Sequence, residues 1–296
     1  MKSPSMCAAR PVARRNGPFP VTTALLLTAL LAATPLVGCG GRNASNPGGS
    51  ATVSTTSPGV SGSTPPTSSV PAPRRSSAAD QLAGFFVAAG RADEQIRQAT
   101  KLINGGFRGE VIVLAPATVA AVNAIDTKAV VRAIPGGLTP RELGSVLQVY
   151  ADLSSRRAAF NRVLEYAGES PLPRTSTDAK DLLSCLGHGT AAAARFADDL
   201  AASRALAAAS APVKVAPLRS RLTAEVAIRA HGIDLPNNGC GECGGVVPRP
   251  IVLYPIVWKR VDLGPGSVWD GTVGTSGLFT ARYVPGQGWD IQSNAC

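Results

Sequence analysis

The sequence predicts an α+β protein, a mainly helical domain followed by a small C-terminal antiparallel β meander. Three observations carry this reading. Between Ser77 and Gly232 apolar residues recur with a period near that of a helix, bracketed by helix-start signals. From Val246 onward the composition shifts to Val, Ile, Trp, Tyr and Thr in short runs punctuated by Gly and Pro, which is strand-and-turn chemistry. Ahead of both, residues 39–77 hold Gly, Ser, Thr and Pro with almost no large apolar side chain. Such a segment cannot bury enough surface to offset its ordering entropy.

The chain opens with Lys2, Arg10, Arg14 and Arg15, then an apolar run, VTTALLLTALLAATPLVGC, from Val21 to Cys39. A basic region followed by an apolar stretch is the pattern of a secretory signal. The run closes on Leu36-Val37-Gly38-Cys39. This resembles the lipobox of bacterial lipoproteins, a Leu, two small residues and a Cys. The resemblance covers residues 1–39 only. It implies that residues 1–38 are a lipoprotein signal peptide and that Cys39 is the lipidation site, diacylated on sulfur and the N-terminus after cleavage. It also implies a mature chain anchored on the extracytoplasmic side of the cell membrane. Two acyl chains suit stable attachment, because each buried CH₂ contributes about 0.8 kcal/mol and one chain holds only marginally. The alternatives are an ordinary signal cut near Ala32-Ala33 and an uncleaved span. The run is short for a span and contains Pro35. Met6 offers an alternative start that shortens the basic region. Residues 39–77 then read as a disordered tether with an r.m.s. reach on the order of 35 Å.

The helical domain is expected over residues 78–235. Ser77-Ala78-Ala79-Asp80 is a capping-box signature, and Leu82, Phe85, Phe86 and Ala89 follow on one face. Gly90 is expected to divide this helix from a second one, carrying Ile96 and Ile103 and ending at Asn104-Gly105-Gly106. Glu110 to Pro116 reads as a strand or a buried run. Short helices start at Pro116 or Asp126 and run to Ile134. Thr139-Pro140-Arg141-Glu142 is the strongest helix start, with an N-cap Thr, Pro in the first turn and Glu at N3. Its helix is expected to reach Gly168, with a buried stripe of Leu143, Val146, Leu147, Tyr150, Leu153, Phe160, Val163, Leu164 and Tyr166. Helices over Asp178–Leu186 and Thr190–Ser210 are expected to flank a break at Gly187-His188-Gly189. A last helix is expected to end at Gly232.

Residues 236–296 are expected to form a cysteine-containing loop and the β meander, packed on the helices. PIVWKRVDL, GSVWDGTVG, GLFTARYV and GWDIQS are the four strand candidates. Pro248, Pro250 and Pro255 restrict the first to an edge. Trp258, Trp269 and Trp289, with Tyr254 and Tyr283, form either the core of this unit or a sugar- or peptide-binding face; the core reading is favoured.

The net charge of +10 suggests nucleic acid at first, but seven of those charges lie in residues 1–79. The foldable part is nearly balanced, so no basic groove for phosphates and no nucleic-acid partner is expected. With Cys7 in the leader and Cys39 lipidated, Cys185, Cys240, Cys243 and Cys296 remain, an even number in an oxidising compartment. The favoured pairing joins each of Cys240 and Cys243 outward, one to Cys185 and one to Cys296. The alternative bonds Cys240 to Cys243 and Cys185 to Cys296. A redox CxxC needs a following helix, and Gly244-Gly245-Val246-Val247-Pro248 does not start one. Cys185-x-x-His188 with Cys240-x-x-Cys243 makes a zinc set, but it leaves Cys296 over. A nucleophile elbow at Gly241-x-Cys243-x-Gly245 lacks its strand and helix. His188 and His231 are read as capping or surface residues. No cofactor, metal site or catalytic set is expected. The functional expectation is a non-catalytic envelope protein that binds or scaffolds a cell-wall or protein partner. The alternative is a cell-envelope hydrolase using His188 or His231.

Overall fold

The computed structural model describes residues 77–108, 111–168, 176–212, 216–238, 247–261, 268–274 and 277–293. The leader, Cys39 and the tether lie outside them. The fold is α+β, with the helices first and a four-stranded antiparallel sheet at the C-terminal end. No described helix is long and apolar enough to cross a membrane.

Helix α1 spans Ala78–Gly105. The Ser77 hydroxyl accepts the Asp80 N–H at 3.0 Å, and the Asp80 carboxylate accepts the Ser77 N–H at 3.3 Å. Such a cap contributes about 1 kcal/mol. Contrary to expectation, α1 passes through Gly90 unbroken. An interior Gly costs about 1 kcal/mol relative to Ala. Burial of Leu82, Phe85 and Ala89 before it, and of Ile96, Ala99 and Ile103 after it, outweighs that cost. A short ladder follows, β1 (Phe107–Arg108) against β2 (Val111–Ile112), of which only the second half was anticipated. Helix α2 (Pro116–Asn123) starts on Pro116, and α3 (Thr127–Arg132) is capped by Asp126, whose carboxylate accepts the Ala129 N–H at 2.8 Å.

Helix α4 (Pro140–Glu165) is the centre of the helical body. It begins in the expected capping box of Thr139 and Glu142. The expected apolar stripe is buried except for Leu164, which is half-buried, and every residue from Val149 to Ser154 is buried as well. A helix buried on all sides has neighbours all round, and α4 packs against α1, α2, α3, α5 and α6. Four polar side chains of α4, Glu142, Asp152, Ser154 and Arg156, lie in the interior. Arg156 reaches Asp93 of α1 at 2.6 Å.

Helix α5 runs unbroken over Ser176–Ala209, so the expected break at His188 does not occur. The reason lies across the interface. A Cβ on Gly189 would fall 2.8 Å from the Ala159 Cβ of α4. The missing side chain lets the two backbones close together, and packing overrides the weak helix propensity of glycine. Helix α6 (Arg221–Asn238) likewise continues beyond Gly232. Ile233 enters the core, and Asp234 meets α4.

The sheet is a simple meander of β3 (Ile256–Arg260), β4 (Val268–Val273), β5 (Gly277–Val284) and β6 (Gly288–Ser293), with β3 on an edge as expected. One face packs on α6. There Trp269, Phe279 and Ala281 bury against Ala224 and Ile228. The three tryptophans pack together, Trp258 edge-on to Trp269 at 5.7 Å and Trp289 tilted on Trp269 at 4.6 Å. Phe279 occupies the space beside Gly271, where an added Cβ would lie 2.6 Å from its ring. Trp289 donates its indole N–H to Thr223 Oγ1 at 3.0 Å, and Arg229 donates to the Tyr254 carbonyl at 2.8 Å. Tyr254 itself is exposed and stands outside the aromatic cluster.

Candidate functional site

The wall between α4 and α5 is covered on one side by the segment that leads into the sheet. Arg249, Pro250 and Ile251 of that segment close a groove of about 690 Å³. Its α4 side is Pro140, Arg141, Gly144, Ser145 and Gln148, and its α5 side is Asp199, Ala202 and Leu206. The α4 residues recur on successive turns, so the helix presents one continuous row to the groove. That row has no bulk in the middle, since a Cβ added to Gly144 meets nothing within 4 Å. The volume falls in the range of small-molecule sites. A smaller cavity of about 270 Å³ lies beside it, with Leu143, Leu222, Val226 and Leu253 among its walls and Glu225 and Arg229 also lining it.

One end of the groove is tied to a buried ionic cluster. Asp152 is 1% exposed. Its Oδ1 accepts from Arg195 and from Arg249, each at 3.2 Å, and Asp199 holds the other arm of Arg249. Burial pushes the Asp152 carboxyl up from 3.8 to about 7. The neighbouring Asp199 pushes the same way, and Arg195 and Arg249 pull it down. Asp152 Oδ2 has no donor when both acids are ionised. Protonation of Asp152 lets that oxygen donate to the neighbouring Asp199 and removes the orphan.

A second buried network lies on another side of α4. Asp234 accepts from Tyr150 Oη at 2.7 Å and from Ser154 Oγ at 2.6 Å. Burial raises the Asp234 carboxyl, while the two hydroxyls, His231 and Arg157 oppose the rise. Tyr150 is held well above its ordinary value by burial and by Asp234. His231 is neither a cap nor a free surface group. It sits inside α6, half-buried, with Nε2 3.0 Å from Ser293 Oγ of β6. Burial lowers its pKa, against the pull of Asp234 and Asp290. A hydroxyl, an imidazole and a carboxylate are therefore neighbours, but Asp234 spends both oxygens on Tyr150 and Ser154. Neither cavity described above is lined by His231 or Ser293.

Of the expected site residues, Cys39, Cys240, Cys243 and Cys296 lie outside the described residues. Cys185 is fully buried beside Ala158 and is disulfide-bonded. His188 is half-buried within α5, not at a helix break. Among the described residues no group of three or more His, Cys, Asp and Glu could hold a metal ion. The structure thus gathers a different set, Arg141, Gln148, Asp152, Asp199 and Arg249, that sequence reading did not single out. Asp152 had one visible signal, an acid between Ala151 and Leu153 in the most apolar part of the longest buried stripe. Its partner Arg249 is 97 residues away, a distance no local pattern bridges. The chain matches no protein-family model, and no curated protein or solved structure is similar to it.

Proposed function

We propose that this chain is a lipid-anchored extracytoplasmic envelope protein whose folded part binds a ligand or partner without transforming it, through the groove between α4, α5 and Arg249–Ile251. The lipobox-like Leu36-Val37-Gly38-Cys39 and the tether support the address. The observation that carries the binding reading is the groove itself, with apolar walls, a few convergent polar groups and no hydroxyl–imidazole pair opening onto it. In cells, the full-length protein should fractionate with membranes and Cys39→Ala should move to the soluble fraction. Fractionated envelope components should raise the melting temperature of the purified wild-type protein and leave Gly144→Leu unmoved, since the Cβ position there is open and a longer side chain would occupy groove space. A thermal shift that persists in Gly144→Leu overturns the reading.

The contact of His231 Nε2 with Ser293 Oγ favours a second reading, a cell-envelope hydrolase with Ser293 as nucleophile and His231 as base. That reading requires Ser293→Ala and His231→Gln to abolish turnover of envelope substrates while the fold is kept.

A further inference from the structure

The geometry points to a ligand class for this groove: a carboxylate carried on a short aliphatic body, from either a peptide C-terminus or an acyl chain. The inference rests on the binding reading above. Among the described residues the lining holds two guanidiniums, Arg141 and Arg249, against a single carboxylate, Asp199. Asp199 is already engaged by Arg249. Arg141 is exposed and makes no ion pair among the described residues. Behind the wall, Asp152 and Arg195 cancel, so the groove keeps an excess of positive charge for an anion.

An arginine fork matches a planar carboxylate with two parallel N–H bonds, which a bare point charge does not offer. Shape selects the rest of the ligand. Pro250, Ile251 and Leu206 supply aliphatic wall, and Gly144 and Ala202 leave the floor low enough for a chain to lie along α4. Among the described residues no aromatic side chain lines the groove. A flat sugar ring, which binds best on an aromatic face, therefore lacks its platform, and an aliphatic body does not.

The ionic cluster tunes the same preference. When Asp152 takes up a proton, the groove end loses one negative charge and an anion beside Arg249 gains. Carboxylate affinity should therefore rise as pH falls through about 7.

Calorimetry on the purified full chain tests this with four probes: N-acetyl-Ala-Ala as free acid, the same dipeptide as its C-terminal amide, octanoate, and N,N′-diacetylchitobiose. The inference expects the free acid or octanoate, or both, to bind, and which of them does so names the source. The amide should bind about tenfold or more weakly, the scale of one charge-assisted contact. Arg141→Gln should weaken the acid about tenfold, and Gly144→Leu should abolish it. Acid and amide binding equally, or neither carboxylate binding, overturns the inference. If the disaccharide or an envelope fraction still gives a response that Gly144→Leu removes, the groove remains a binding site and only the ligand class has failed. If nothing responds in that way, both readings fall together.

Discussion

A carboxyl group that is almost out of water must be paired, protonated or both, and Asp152 shows how one residue meets that demand. Two arginines share its Oδ1, while its Oδ2 has no donor and gains a partner when Asp152 is protonated and donates to Asp199. The folded pKa is raised, from 3.8 to about 7, so the folded state binds this proton more tightly than the unfolded chain does. The stability linked to it is fully present below about pH 4 and is lost as pH rises through about 7. Asp152→Asn keeps the volume and removes the titration. Its melting temperature, relative to wild type, should therefore be comparatively higher at pH 8 than at pH 5. An unchanged difference between the two proteins across that range would show that Asp152 does not titrate there. His231 carries the opposite sign, because burial lowers its pKa and its contribution is lost only toward acid. Of these residues the sequence revealed only the types. Nothing in the neighbourhood of Asp152 or His231 announces Arg249 or Ser293, because the contacts are made by helices and strands arriving from elsewhere.

Helix starts were legible wherever a side chain caps its own helix, as at Ser77, Asp126 and Thr139, because both partners sit within three residues. Helix ends were less so. Gly90, Gly187-His188-Gly189 and Gly232 read as breaks, yet each helix continues through them. Local propensity sets a bias of about 1 kcal/mol per glycine, and burial of the following apolar turn exceeds it. The two α5 glycines separate the propensity effect from the packing effect. Gly187 has open space around it, so Gly187→Ala should leave stability unchanged or raise it by up to about 1 kcal/mol. Gly189 faces Ala159, so Gly189→Leu must force α4 and α5 apart and should cost about 1–3 kcal/mol. Denaturant unfolding of the two variants checks the contrast; equal effects would mean that the close approach is not important to the fold.

At the scale of the molecule, the sheet is fastened to α6 by the Trp269–Phe279 cluster and by Trp289, His231 and Arg229 contacts. The segment from Arg249 to Ile251 is fastened to α4 and α5 by the Asp152 cluster. The buried, disulfide-bonded Cys185 lies on the helical side. We expect a non-reducing peptide map of membrane-extracted protein to link Cys185 to Cys240 or Cys243, and Cys296 to the remaining one. Each bridge would close a loop of roughly 55 residues, with a stabilisation on the order of 4 kcal/mol in the chain-entropy model. A peptide with Cys240 bonded to Cys243 would contradict that pairing. The sequence by itself determined the α+β order, the capped helix starts, the four strands and their meander. Those depend on periodicity, capping and turn chemistry within a few residues. Only the tertiary structure decided that α4 is enclosed all round from Val149 to Ser154, that the helices run through their glycines, and that Arg141, Asp199 and Arg249 share one groove. Burial and long-range ion pairing are properties of what packs against a residue, and that is set by the whole chain at once.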